Sequence, residues 1–257
     1  MTSTPGGLQA ELRRREVELA CTHFRPGCRI LELGGGDGFQ ATVLAGRGFE
    51  VDSIDVPFRQ SKERLLFPVL DYDGRIIPFA DGSFDAVFSS NVLEHIPDLK
   101  LSLSEIRRVL KPEGVAVHVL PTPVWRFWTT VVHYPWLVTK ALDKVVTTVS
   151  SPSSQAPAAA AIDSGGSFPL RTLSSAFALG FAAHGEYPNA VAELHHFRRS
   201  VWEATFRESR FEVTSYSPSG LFYTGQLLIP KLPISARASL SAVMGSSCHV
   251  FTMRVAA

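Results

Sequence analysis

The 257-residue chain is short of cysteine, of net charge and of uninterrupted hydrophobic runs. Its three cysteines, Cys21, Cys28 and Cys248, form no Cys-x-x-Cys pair. An odd count without a framework excludes a disulfide scaffold and fits free thiols in a reducing compartment. Lys+Arg total 25 against Asp+Glu 24, and neither part of the chain divided at Ser150 is a polybasic arm. A protein that coats nucleic acid by neutralising phosphates carries a basic surplus, so no nucleic-acid partner is expected. The most apolar stretch, Val124 to Val149, is interrupted by Arg126, Lys140, Asp143 and Lys144, which argues against a transmembrane segment. The leading MTSTPGGLQAELRRRE lacks the apolar core of a signal peptide, so a cytoplasmic location is expected. What is present is core material: 45% apolar residues against 19% charged, enough for one large domain spanning 1–257.

The order of patterns predicts alternating helices and strands. A helix is expected over Leu8–Cys21, with Leu8, Leu12 and Leu19 on one side and Arg13 to Glu16 mostly solvated. Strands are expected at Cys28–Leu33, Phe49–Ile54, Arg64–Leu70 (an edge strand because of Pro68), Phe84–Ser89 and Val115–Leu120. Helices are expected at Phe39–Gly46 and from Leu99 to Leu110, the second stopped by Lys111-Pro112-Glu113-Gly114. This rhythm implies an α/β fold with a mainly parallel sheet and helices on both faces. After Pro121 the rhythm breaks. Residues 122–197 read as an insertion: an aromatic stretch with Trp125, Phe127, Trp128, Tyr134 and Trp136, then a Ser/Ala/Pro/Gly-rich linker over 150–169. The insertion reads as a helical subdomain, as a lid on an acceptor pocket, or as a peripheral membrane surface, in falling order of economy. A helix near Arg198–Glu208 and strands near Phe211–Ser217 and Cys248–Val255 close the chain, the two strands suited to antiparallel pairing.

The strongest chemical signal is Glu32-Leu33-Gly34-Gly35-Gly36-Asp37-Gly38, directly after the first strand and before a helix. Glycines let the backbone turn sharply and approach a ligand without a Cβ in the way, and the helix N-terminus offers free N–H groups. No Gly-Lys-Ser/Thr follows, which excludes a P-loop. A dinucleotide GxGxxG needs glycine where Phe39 stands, which speaks against a nicotinamide-binding oxidoreductase. The spacing present is ExGxGxG. Asp55 ends the second strand about 20 residues on, where a carboxylate can take both hydroxyls of a ribose.

With LELGGGDG, SIDV, DGRIIPFADGSFDAVFSSNVLEHI and EIRRVLKPEGVAVHVLP, the chain resembles the class I S-adenosylmethionine-dependent methyltransferases with a type 11 domain, over roughly Cys28 to Leu120. The resemblance implies a Rossmann-like, seven-stranded, mainly parallel sheet with an antiparallel last strand, and S-adenosyl-L-methionine as cofactor. It carries the cofactor-binding roles onto Glu32, Gly34, Gly36 and Gly38, onto Asp55 for the ribose, and onto Asp73 with Gly74 for the adenine, with Asp71 a competing match. Ser90, Asn91 and Leu93-Glu94-His95 match residues near the methionine end. It says little about the methyl acceptor.

If the acceptor is a hydroxyl, something must take its proton. The candidate bases are His184, followed by Gly185 and Glu186, then His195 and His133. A neutral imidazole near its ordinary pKa of about 6.5 suits that work. The bland readings are His133 as a packed residue among aromatics, His195 and His196 as one surface and one buried neighbour, and His95 as a cap on the turn at Pro97. A metal site from His184, Glu186, Glu193 and His195 matches no compact ligand motif, and no metal is assigned. The expected activity is methyl transfer to a small-molecule or glycan-type acceptor, at oxygen. A carbon or nitrogen acceptor, a nicotinamide enzyme and a non-catalytic cofactor-binding module are the rivals. Oligomeric state is left open.

Overall fold

The computed structural model describes residues 7–57, 65–132, 184–224 and 231–256. His133, the linker over 150–169 and the aromatic stretch beyond residue 132 lie outside the described residues.

Seven strands form one sheet in the order β3-β2-β1-β4-β5-β7-β6. They are β1 (Arg29–Leu33), β2 (Glu50–Asp55), β3 (Val69–Asp71), β4 (Phe84–Ser90), β5 (Leu110–Pro121), β6 (Phe211–Pro218) and β7 (Cys248–Val255). β1 to β5 run parallel, and β7 lies antiparallel between β5 and β6. The expected α/β architecture with its antiparallel last strand is therefore present. The helices are α1 (Leu8–Cys21), α2 (Phe39–Ala45), α3 (Leu99–Val109), α4 (123–132), α5 (Ala190–His196), α6 (Arg199–Glu208) and α7 (Ile234–Met244).

Alternation along each central strand explains the two-faced burial. In β1, Leu31 and Leu33 join a core with α3 and α6, while Ile30 joins the opposite core with α1 and α2. In β5, Ala116 and Leu120 face the first core, Val117 and Val119 the second. Strands buried on both sides read as continuous apolar runs, as these do. Burying each large side chain contributes about 1.5–3 kcal/mol. Trp202, Phe206 and Phe251 anchor the first core, and Val17, Ala20 and Leu44 seat α1 and α2 on the second.

Several boundaries differ from the sequence reading. Lys111 to Gly114 does not separate helix from strand. β5 already begins at Leu110, and the pairing with β4 jumps from Phe84↔Leu110 to Ala86↔Val115. The Pro112 turn, which cannot donate to a ladder, is absorbed as an irregularity. β3 is three residues long, shorter than expected, and it starts after Pro68. Helices α5 and α7 were not anticipated. α5 is capped by Asn189, whose side chain accepts from the N–H groups of Val191 and Ala192. Of the run Arg13 to Glu16, Arg14 and Arg15 are exposed as expected, but Glu16 is 2% exposed and ion-paired to Arg13 at 2.9 Å.

Candidate cofactor and acceptor site

The C-terminal ends of β1, β2 and β4 open into one cavity of about 1140 Å³. Open α/β sheets place ligands at this end, outside the carboxyl ends of the strands.

The glycine loop is strapped across the end of β2. The N–H groups of Gly34 and Gly35 both donate to the Ile54 carbonyl, at 2.8 and 3.1 Å. Gly35 lies so close to Ser53 that a Cβ would strike its Oγ. Gly36 has φ +57°, and a Cβ there would meet nothing within 4 Å, because the residue borders the open cavity. Its N–H donates to Asp55 Oδ2 at 2.8 Å, and Val56 N–H donates to Asp55 Oδ1 at 2.7 Å. Each carboxylate oxygen of Asp55 therefore keeps acceptor capacity toward the cavity it lines.

Gly34, Gly36, Asp55, Asp73, Gly74 and Asn91 all line this cavity. Glu32 and Gly38 do not; they stand behind its wall. Gly38, at φ +79°, forms the left-handed start of α2 against Phe67. Glu32 is 1% exposed and accepts from Ser53 Oγ at 2.6 Å, while its Oε1 has no hydrogen-bond partner among the described residues. Burial pushes its carboxyl up to about 7; the Ser53 hydroxyl opposes this, and the nearby Asp55 and Asp37 add to it. Of the two competing acids, Asp73 borders the cavity and Asp71 does not. Asp73 Oδ1 accepts from the N–H groups of Ile76 and Arg75, at 2.9 and 2.8 Å, which hold its carboxyl below the usual range. Asn91 has φ +55° and donates through Nδ2 to Glu16 Oε1 at 3.3 Å. Glu16 also accepts from Ser90 and from the Tyr223 hydroxyl, at 2.8 and 3.0 Å. Arg13, Glu16 and Tyr223 thus complete a wall that the sequence reading missed.

The opposite wall is built from segments far apart in sequence. His184 sits between His95 and Trp125, with ring centroids 4.8 and 4.7 Å away, and all three border the cavity. The buried Glu193 carboxylate accepts from the N–H groups of His184 and Gly185, at 2.5 and 2.7 Å, and pairs with Arg126 at 2.7 Å. Glu186 N–H donates to the Glu94 carbonyl at 3.0 Å. Burial pushes the His184 imidazole down to about 4, helped by His95 and Arg126. Burial also lowers His95 and raises the Glu94 carboxyl to about 8.

The candidate bases therefore separate. His184 is at the cavity. His195 is exposed, contacts His196, and does not line the cavity. His133 is outside the described residues. The four-residue set of His184, Glu186, Glu193 and His195 is not assembled as one site, because Glu193 is engaged with backbone N–H groups and Arg126. His95, read from sequence as a turn cap, turns its ring to the cavity instead.

Residues 31–118 match the family described as a methyltransferase domain. Residues 31–118 are thus a methyltransferase domain of the S-adenosylmethionine-dependent type, set in the seven-stranded sheet described above. An uncharacterized methyltransferase from Mycobacterium sp. (strain JLS) is 40% identical over 114 residues, 41% of this chain and 43% of that protein. A demethylmenaquinone methyltransferase from Corynebacterium urealyticum is 35% identical over 142 residues, 54% of this chain and 58% of its own. The chain spans about half the length of the curated relatives it matches. Among solved structures, an S-adenosylmethionine-dependent methyltransferase from Mesorhizobium loti shares the fold with TM-score 0.52 at 15% identity, covering 93% of this chain and 97% of that one. A 1,6-didemethyltoxoflavin-N1-methyltransferase from Burkholderia thailandensis does so with TM-score 0.51 at 12% identity, covering 96% and 79%. Among the described residues, no helix of this methyltransferase domain is long and apolar enough to cross a membrane.

Proposed function

We propose that the chain transfers a methyl group from S-adenosyl-L-methionine to a hydroxyl oxygen of a small-molecule or glycan-type acceptor. The observation that carries this reading is the single cavity, with Gly36, Asp55 and Asp73 on one side and the His95–His184–Trp125 wall on the other. The donor set fits the cofactor: Asp55 has acceptor capacity for two ribose hydroxyls, and Gly36 leaves open space where a ligand approaches. Bound there, the cofactor supplies a methyl group on a sulfonium that already makes a good leaving group. The residues then need to align the acceptor and exclude water, which is catalysis by positioning.

Methyl transfer to a hydroxyl oxygen would release one proton, the carbon–sulfur electron pair being left on the departing thioether. The hydroxyl proton leaves by way of the His95–His184 wall to solvent. His184 is the base candidate that borders the cavity, and the described residues around Trp125 and His184 are read as the acceptor side. The test is incubation with labelled S-adenosylmethionine and a panel of hydroxylated acceptors, with NMR deciding between O-methyl and C-methyl products. A second reading, carbon methylation of a quinone-type acceptor, draws on the demethylmenaquinone methyltransferase at 35% identity. A C-methyl product from such an acceptor, with no O-methyl product from any other, would favour it.

A further inference from the structure

Glu94 is a carboxylate in an environment that gives it nothing to bind. Its side chain is 0% exposed, and neither oxygen has a hydrogen-bond partner among the described residues. Its nearest cationic candidate is His95, with Nε2 3.8 Å from Oε1. The third member arrives from 89 positions further along the chain by way of Gly185. A Cβ at Gly185 would collide with the Glu94 backbone, so glycine lets the 184–186 segment lie flat on that turn. The Glu186 N–H to Glu94 carbonyl bond and the Glu193 clamp on two N–H groups fix it there. None of these bonds uses the Glu94 carboxylate or an imidazole nitrogen of His95 or His184. As a result the three ligand-type atoms lie within 4.8 Å of one another, and they are the one such group of three among the described residues.

We propose that Glu94, His95 and His184 form a divalent-cation site at the acceptor end of the cavity. Two imidazoles and one carboxylate are a donor set suited to zinc, manganese, iron or cobalt, and three protein ligands leave positions open for substrate. Around such an ion, ligand atoms stand about 3.3 Å apart at bond lengths of about 2.0–2.1 Å. Rotation of the two exposed rings toward the buried Glu94 closes the present spacing. The open positions face the cavity, because His95 and His184 border it while Glu94 lies behind them. There a cation would polarise an acceptor hydroxyl and hold its oxygen, and the proton would pass to solvent. His184 then acts on the acceptor as a ligand of the ion rather than as a free base. This role rests on the methyl-transfer reading; the binding site itself does not.

The experiment is titration of the full chain, stripped of metal, with Co²⁺. Visible absorption reports nitrogen ligation and stoichiometry, and the melting shift with S-adenosylhomocysteine is measured in parallel. One equivalent should bind. His184→Ala and His95→Ala should each weaken it at least about 10-fold, since even supporting residues of metal sites are worth about that much, while the homocysteine-analogue shift is retained. Glu94→Gln should do the same; if burial makes that variant unfold, the two exposed histidines carry the test. His195→Ala should leave the cobalt spectrum unchanged. Absence of binding in the wild type, or binding that survives His184→Ala and His95→Ala, or binding lost in His195→Ala as for a surface histidine pair, would overturn the site. Loss of the S-adenosylhomocysteine shift in the wild type would instead remove the methyltransferase reading and leave the cobalt result standing.

Discussion

Replacing Asp55 with alanine removes two acceptors at one stroke. Its Oδ2 takes the Gly36 N–H at 2.8 Å and its Oδ1 takes the Val56 N–H at 2.7 Å, so the carboxylate both shapes the loop and faces the cavity. Hydrogen bonds to a charged group contribute about 1.5–3 kcal/mol each. Because the Gly36 and Val56 N–H groups can turn to water in the variant, most of the loss should fall on ligand binding. A single charged contact to the ribose then predicts weakening of about 10- to 150-fold. Asp55→Asn, which keeps an acceptor oxygen but loses the charge, should fall between wild type and alanine. Isothermal titration with S-adenosylhomocysteine reads the effect directly, with circular dichroism to establish that the variant is folded. A folded Asp55→Ala that binds within twofold of wild type would refute the ribose assignment and the argument from the loop geometry with it.

Two further substitutions test how the walls are held. Folding keeps a proton on Glu32, which titrates at about 7 in the fold against 4.5 in an unstructured chain. Its contribution is therefore full below pH 4.5, is lost as pH rises through about 7, and changes no further above that. The gap corresponds to about 3 kcal/mol, so Glu32→Gln should flatten the fall in melting temperature between pH 4.5 and 7; an unchanged slope would contradict the burial argument. Glu193→Gln deprives Arg126 and two backbone N–H groups of a buried carboxylate, and should cost about 3–5 kcal/mol in urea unfolding. A loss below about 1 kcal/mol would mean that the 184–186 segment is held by other contacts.

The cofactor half of the site was legible in sequence because its residues are local. Glu32 to Gly38 and Asp55 lie at adjacent strand ends, and the short-range pattern of apolar runs broken by glycine locates those ends. The resemblance alone favours Asp73 over Asp71, and of the two only Asp73 borders the cavity past the end of β3. The acceptor half was not legible. That Gly185 packs on the Glu94 backbone depends on a contact between segments about 90 residues apart, and that Glu193 clamps His184 depends on a loop folding back on its own helix; periodicity encodes neither. His95 looked like a turn residue because its backbone is one; the direction of its ring follows from tertiary packing against His184. Glu16 looked solvated for a similar reason. It sits amid charged neighbours in sequence, but the Ser90 and Tyr223 hydroxyls reach it only in the folded sheet.

The central claim is that the glycine loop and Asp55 are built for S-adenosylmethionine and not for a nicotinamide dinucleotide. Calorimetric titration of the wild-type chain with S-adenosylhomocysteine and, separately, with NAD and NADH tests it most directly. The account predicts one saturable site for S-adenosylhomocysteine, a raised melting temperature in its presence, and no heat of binding with either dinucleotide. Saturable binding of NADH with none of S-adenosylhomocysteine would contradict it.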